Sequence, residues 1–303
     1  MSGGAKAAIH AMRRRVSTMP DDHVIVKLDF SNAYNTVRRA AVHETVAATM
    51  PVAATVYQKI LADDTNTATD IARLKAAATL HAGDWLHAPH ITAVGLRLSD
   101  EDIRIAMAFR LGSRTCQPHR CLCGSMVDAQ GLHGLSCKKS APRQIRHAKM
   151  NDIIWRSVKK AQNPAVKEPV GLSRSVCKRR DGATQIPWTR GKPLAWDITI
   201  PDTFANSYIG DTSTRATAAA DRAAANKTEK YTDLAKTHHF VPIAVETGGA
   251  WDELALEFIT ELGRKITRIT QEPRETQFLF QRLSISLQRG NAIAFRNTFG
   301  SEH

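Results

Sequence analysis

The sequence predicts an α/β fold with a small mixed sheet, and the evidence for it lies between residue 145 and the end of the chain. Short apolar, β-branched runs alternate there with longer segments of helical periodicity. Three strand candidates, AVKEPVGL, DGATQIPW and PLAWDITI, precede a long Ala-rich helix, and a fourth, FVPIAVE, follows it. Two further helices complete the order α-β-β-β-α-β-α-α, which is typical of an α/β sandwich.

The elements before residue 145 begin with a strand, HVIVKLDF, followed by a helix that Pro51 ends. Residues 52–80 show helical spacing, and residues 101–111 predict a helix that leads into a cysteine-rich segment. After that segment, RQIRHAKMNDIIWRSVKKAQ predicts an amphipathic helix with apolar residues on one face and basic residues on the other. The three later helices are expected over residues 212–236, 251–269 and 274–289.

The composition is that of a chain that folds. Apolar residues make up 43% of the 303 residues and charged residues 23%, which excludes a wholly disordered chain. No stretch approaches the roughly 18 apolar residues of a membrane span. The opening segment, MSGGAKAAIHAMRRR, lacks the apolar core of a signal peptide. We therefore expect a nuclear or cytoplasmic protein that is not secreted and has no membrane partner.

Positive charge is concentrated in one segment. The chain has a formal net charge of +13, and the residues from Arg104 to Arg180 hold 17 Lys and Arg against 3 acids. This imbalance favours a polyanionic partner, most simply nucleic acid, over a small-molecule substrate. A solvated basic face without a partner is the alternative. The residues expected to contact phosphates are Arg146, His147, Lys149, Arg156, Lys159, Lys160, Arg179 and Arg180.

Four of the five cysteines fall within the segment CQPHRCLCGSMVDAQGLHGLSC. In a chain that is not secreted, such clustering favours metal binding over disulfide formation. A zinc ion takes four ligands, and two pairs from the ends of a short loop supply them. The best set is Cys121, Cys123, His133 and Cys137. The tight C-x-C spacing leaves Cys116 or His119 as substitutes, and free buried thiols are the alternative. Four protein ligands predict a structural role.

Two aspartates are candidates for a magnesium site. Asp181 lies at a turn, and Asp197 lies sixteen residues later, near the end of the strand PLAWDITI. A β-hairpin between them would bring both carboxylates to one Mg²⁺, a cation that prefers oxygen ligands. Such an ion activates water and neutralises the leaving oxygen in phosphodiester cleavage. A turn cap and a surface carboxylate are the alternative reading.

Two kinds of further residue, a lysine and a glutamate, would complete a catalytic site. A lysine on the next helix, Lys227 or Lys230, would stabilise the charge that develops on the phosphate. Glu168, in the first strand candidate, and Glu246, at the end of VPIAVE, would position a water or a second metal ion. Each of these two acids is otherwise a solvated carboxylate at the end of a strand.

Several segments resemble proteins of non-LTR retrotransposons. VKLDFSNAYNTVRR resembles motif A of their reverse transcriptases, which implies that Asp29 is the metal-binding aspartate and Tyr34 the aromatic residue beside the nucleotide sugar. From residue 83 onward, the chain resembles the region where a Cys/His knuckle precedes a restriction-enzyme-like endonuclease of the PD-(D/E)XK type. The matching pieces are CLCG, GLHGLSC, RHAKMNDII, KRRDG, AWDIT, KTEKY and VPIAVETGG.

The resemblance implies a division into four parts and a DNA partner, with RNA of the same element left open. The parts are a polymerase palm remnant at 1–50, a helical connector at 51–112, a CCHC-type zinc knuckle at 113–140 and a restriction-endonuclease-like domain with extra C-terminal helices at 141–303. Arg180 replaces the family's proline and Thr199 its lysine, so the lysine must come from elsewhere. A second polymerase motif is missing, which predicts an inactive reverse transcriptase.

Two functions follow from these observations. The first is a Mg²⁺-dependent endonuclease that nicks target DNA. The second is a catalytically dead nucleic-acid-binding remnant that keeps the knuckle and the basic helix, and a degenerate reading frame without a role is a weaker third reading.

Overall fold

The computed structural model describes residues 67–89, 91–139, 141–169 and 180–299. All of them belong to the second of two units into which the chain divides, Thr67–His303. The expected strand at 23–30, the helix after it, Asp29, Tyr34 and Arg179 lie outside the described residues.

The described residues from 67 to the start of the main sheet are mostly helical, with one small hairpin. Their elements are α1 (Ala68–Ala77), α2 (Asp100–Leu111), the antiparallel pair β1 (His119–Arg120) and β2 (Met126–Val127), α3 (His133–Ser136) and α4 (Ala141–Lys160). Thr67 and Ser99 form capping boxes that start α1 and α2. The predicted helix at 101–111 is confirmed, and the basic amphipathic helix is α4.

A four-stranded mixed sheet follows, which confirms the α/β prediction. Its elements are β3 (Ala165–Lys167), β4 (Gly182–Thr189), β5 (Lys192–Thr199), α5 (Ile209–Thr214), α6 (Ala218–Lys230), β6 (His239–Ala244), α7 (Glu253–Thr270) and α8 (Glu275–Arg296). The strands lie in the order β3-β4-β5-β6, with β6 parallel to β5 and the other pairs antiparallel. The helix predicted at 212–236 is wrong as one unit, because it is broken at Thr217, whose φ is 68°.

The sheet is covered on both faces. Apolar side chains of α4, α7 and α8 pack on the face that carries Trp196, Leu194 and Ile198 of β5. On the other face, Ala195 of the same strand packs beside Tyr231, just after α6. Since side chains alternate along a strand, Asp197 lies on the α6 side. None of the helices within the described residues is long and apolar enough to cross a membrane.

The β4–β5 hairpin sets the positions of the two candidate aspartates. Its register pairs Gly182 with Trp196, so the preceding residue, Asp181, falls opposite Asp197. Residues directly opposite each other on antiparallel strands direct their side chains to the same face. The hairpin that the sequence predicts between these aspartates is therefore confirmed.

Gly182 is required at its position because the Trp196 indole lies against it. A methyl group on Gly182 would lie 2.0 Å from the indole ring, and the ring is fully buried. We expect Gly182→Ala to lower the free energy of unfolding by about 1–3 kcal/mol or more, measured by urea denaturation. Gly210→Ala is the control, since its methyl group meets no atom within 4 Å. Equal losses in both variants would contradict the packing argument.

Candidate functional site

Asp181, Asp197 and His147 converge at one end of the β4–β5 hairpin. Each offers a ligand-type atom, and these atoms all lie within 4.8 Å of one another. The two aspartates are only 9% and 4% exposed. Two buried carboxylates at this distance repel each other, so they require cationic partners, hydrogen-bond donors or a metal ion.

The Asp181 carboxylate is held by two donors. One oxygen, Oδ2, accepts from the backbone N–H of Ile198 and lies 3.0 Å from Nε2 of His147. The same Nε2 lies 3.1 Å from the carbonyl oxygen of Ile198. Because a carbonyl oxygen only accepts, Nε2 carries a proton, and His147 orients Asp181 rather than offering this nitrogen to a metal. The hydrogen bond to Asp181 raises the pKa of His147, against the opposing effect of burial.

The Asp197 carboxylate faces a lysine. Nζ of Lys227 lies 2.9 Å from Oδ2 of Asp197, and the nearby Tyr231 hydroxyl also lowers the pKa of this carboxylate. Burial raises the pKa of Asp197, and the Lys227 ammonium offsets part of that rise. Burial and the bond to Asp197 together raise the pKa of the Tyr231 phenol well above its ordinary value. Asp197 therefore lies between a cation and a phenol that stays neutral.

The structure distinguishes the two candidate lysines. Lys227 contacts Asp197, whereas Nζ of Lys230 lies 3.2 Å from the Tyr231 hydroxyl. Both lie in the last turn of α6, where side chains three residues apart differ in direction by about 60° and are neighbours on one face, so their contacts, rather than a difference in helix face, distinguish them. Lys227 is therefore the lysine that faces the aspartate pair.

The two glutamates do not join the aspartate pair. Oε1 of Glu246 accepts from the backbone N–H groups of Ala219 and Ala220, at 3.0 and 3.3 Å. Its carboxylate binds the start of α6, where the helix dipole favours a negative charge, and this contact accounts for its burial without a metal ion. Glu168 has an exposed side chain, and its backbone N–H donates to the carbonyl of Asp181. It supports the Asp181 backbone.

Asn151 is a site residue that the sequence did not identify. Its amide nitrogen donates to the Asp181 carbonyl at 3.0 Å, and its amide oxygen accepts from the Trp196 indole at 2.9 Å. Asn151 thus joins α4 to both strands of the hairpin. The sequence feature that could have identified Asn151 is its position four residues after His147 in RHAKMNDII, which places both side chains on one face of α4.

Several of the cations expected to contact phosphates are buried or engaged. Arg146 is 2% exposed and Arg180 3%, so burial keeps both from the phosphates that the sequence predicts them to contact. Arg146 bonds to Asn291 at 2.6 Å, and the Arg180 guanidinium lies over the Tyr231 ring. Arg156 pairs with Asp152, and Lys160 pairs with Glu275. The Lys159 ammonium lies over the Trp155 ring. Lys149 is exposed.

The Cys/His cluster assembles as the sequence predicts. Ligand atoms of the four residues lie within 4.8 Å of one another: Cys121, Cys123, His133 and Cys137. Sγ of Cys121 and Sγ of Cys137 are 3.8 Å apart, and Sγ of Cys123 lies 3.2 Å from Nε2 of His133. Hydrogen bonds from Ser125 lower the pKa of Cys123 to about 6, whereas burial raises the pKa of Cys137 to about 11.

The two substitute ligands lie outside this cluster. The thiol of Cys116 donates to the carbonyl of Asp128. The His119 ring stacks on Phe299, and its Nε2 lies 2.9 Å from the Thr298 hydroxyl. His119 therefore anchors the β1–β2 hairpin to the end of α8.

No model of a protein family matches the sequence, and no curated protein matches it. The function therefore has to be inferred from the two clusters themselves.

The Cys/His cluster is expected to hold one metal ion per chain. Cys137→Ser removes a ligand and should abolish the bound metal, as measured by elemental analysis of the purified protein. Cys116→Ser is the matched control, because Cys116 lies outside the cluster, and it should keep the metal. Equal metal content in both variants would contradict this assignment.

Proposed function

We propose that this protein is a Mg²⁺-dependent DNA endonuclease of the restriction-enzyme-like type, from a non-LTR retrotransposon whose reverse transcriptase is truncated and inactive. The observation that carries the proposal is the convergence of two buried aspartates with a lysine, Lys227, at the end of a hairpin. A carboxylate pair with an adjacent ammonium is suited to phosphodiester hydrolysis.

The donor set at the aspartates fits a hard divalent cation. Asp181 and Asp197 present carboxylate oxygens, the ligands that Mg²⁺ prefers. The two aspartates would hold the ion, which would activate a water and neutralise charge on the leaving oxygen. His147 holds Asp181 in its orientation, and Lys227 places an ammonium where negative charge on the phosphate would develop.

The Cys/His cluster fits structural zinc. Two sulfurs each 2.3 Å from a tetrahedral zinc are about 3.8 Å apart, which is the separation of Sγ of Cys121 and Sγ of Cys137. Three sulfurs and one imidazole fill the coordination sphere and leave no position for a catalytic water. This ion would stabilise the region from β1 to α3.

A catalytically dead nucleic-acid-binding remnant is the second candidate. It is favoured by Thr199, which stands two residues after Asp197 where the family has its lysine. The position of Lys227 beside Asp197 supports the endonuclease, because a lysine supplied by α6 fills the role of the missing one.

A plasmid-nicking assay with Mg²⁺ tests the proposal. Asp197→Asn removes a metal ligand and should abolish nicking. Lys227→Met removes the ammonium at the scissile phosphate and should slow nicking by about 10²–10³-fold, as the loss of one preorganised charge does elsewhere.

Lys230→Met is the matched control for Lys227→Met and should change the rate only several-fold, since Lys230 bonds to Tyr231. Nicking that persists in Asp197→Asn would overturn the proposal. DNA binding without nicking by the unmodified protein would favour the binding remnant.

Metal binding at the aspartates should weaken as the pH falls. The pKa of Asp197 is raised, so protons compete with the metal at a pH above the ordinary Asp range of about 4. Because the Lys227 ammonium lowers this pKa, Lys227→Met should move the midpoint to higher pH. Titration with Mn²⁺, followed by EPR, measures the midpoint pH of metal binding in the unmodified chain and in the variant. A midpoint pH that stays fixed or falls in Lys227→Met would contradict the assignment.

A further inference from the structure

A group of exposed cations lies between the two clusters in the sequence. Lys138 and Lys139 follow the last cysteine ligand, and Arg143 lies in the first turn of α4. All three are exposed, and none forms an ion pair with any other described residue. They differ in this from Arg156 and Lys160 further along α4, whose charges are paired with acids.

Arg143 lies on the side of α4 that faces the aspartates. It precedes His147 by four residues, which places the two side chains on the same helix face, about 6 Å apart along the axis. His147 contacts Asp181, and Asn151, one turn further, bonds to the Asp181 carbonyl. Arg143 therefore extends this face outward from the aspartates, toward Cys137.

A buried arginine fixes the Cys/His cluster relative to α4. Nη1 of Arg146 donates to Asn291 of α8, and Nη2 donates to the carbonyl of Leu135 in α3, at 2.6 and 3.4 Å. Gly134 of α3 packs so closely on α8 that an added methyl group would lie 2.8 Å from the Phe295 backbone. The distance between the cluster and the aspartates is therefore set by packed elements.

Helix stability does not account for the position of Arg143. The first turn of α4 contains no acid, and a cation there opposes the helix dipole. An anion bound there from outside the chain would pair with the Arg143 guanidinium and offset its repulsion by the helix dipole.

We propose that Lys138, Lys139 and Arg143 contact successive phosphates of a DNA strand that runs from the Cys/His cluster to the aspartate pair. This proposal rests on the endonuclease function and adds the path of its substrate. Phosphates of one strand advance about 3.4 Å along a duplex axis, so the roughly 6 Å between Arg143 and His147 corresponds to about two nucleotides. The path would thereby determine which phosphate reaches Asp197.

DNA binding is measured by fluorescence anisotropy with a labelled duplex, on chains that also carry Asp197→Asn so that cleavage cannot interfere. Lys139→Ala combined with Arg143→Ala should weaken binding by at least tenfold at low salt. The slope of log affinity against log salt should become shallower by about 0.9 for each phosphate that the variant no longer neutralises. Unchanged melting temperatures, expected for exposed residues, would show that the fold is intact.

The matched control is Arg264→Ala combined with Arg268→Ala, which removes two exposed positive charges from α7. It should leave affinity and salt slope nearly unchanged. An equal decrease in affinity in both double variants, or no decrease in either, would overturn the proposed path.

A second measurement separates this proposal from the endonuclease itself. On end-labelled duplex, the chain with an intact Asp197 should cut at defined positions, and the Lys139/Arg143 variant should cut at scattered ones. If the unmodified chain nicks DNA and the Lys139/Arg143 variant binds and cuts DNA as the unmodified chain does, the proposed path is wrong and the endonuclease function stands. Weakened binding in the cation variant, in a chain that never nicks, would overturn the endonuclease function and the path to a cleavage site that rests on it, while confirming that these cations contact DNA.

Discussion

The register between β4 and β5 is the constraint on which the candidate site depends. Pairing Gly182 with Trp196 places Asp181 opposite Asp197, and a shift of one residue would turn one carboxylate to the other face of the sheet. The register is fixed by the close fit of the Trp196 indole over Gly182, where only a hydrogen atom leaves room for the ring. The geometry of the aspartate pair is thus a consequence of packing on the side of the sheet away from Asp197.

Two polar anchors then bring helices to this hairpin. Asn151 joins α4 to β4 and β5, so that His147 lies beside Asp181. Glu246 accepts from the first N–H groups of α6, and this fixes where that helix begins and which lysine of its last turn faces the sheet. Both anchors are buried and make several hydrogen bonds, as buried polar groups generally must. They position the functional side chains without belonging to the reactive group.

Sequence reasoning recovered the strands, the hairpin and the four clustered Cys and His residues, because these depend on local periodicity and spacing. It did not recover interactions made over long sequence separations. Helical periodicity assigns Arg146 to the basic face of α4, but its partner, Asn291, lies 145 residues away, and only tertiary packing shows that the guanidinium is buried. The sequence left the choice between Lys227 and Lys230 open for the same reason, since the break at Thr217 and the hydrogen bonds to Glu246 set the phase of α6.

Two buried aspartates can both stay ionised only beside a positive charge. Because the pKa of Asp197 is raised in the folded state, the folded chain holds its proton more tightly than the unfolded chain. Stability therefore falls as the pH rises from the ordinary Asp range through the raised pKa. Uncharged residues of similar size would avoid this decrease in stability. A divalent cation would remove it as well, since the negative charge that lowers stability is the charge that would bind the ion. The aspartate pair thus lowers stability at neutral pH, a cost that a candidate metal site explains better than packing does.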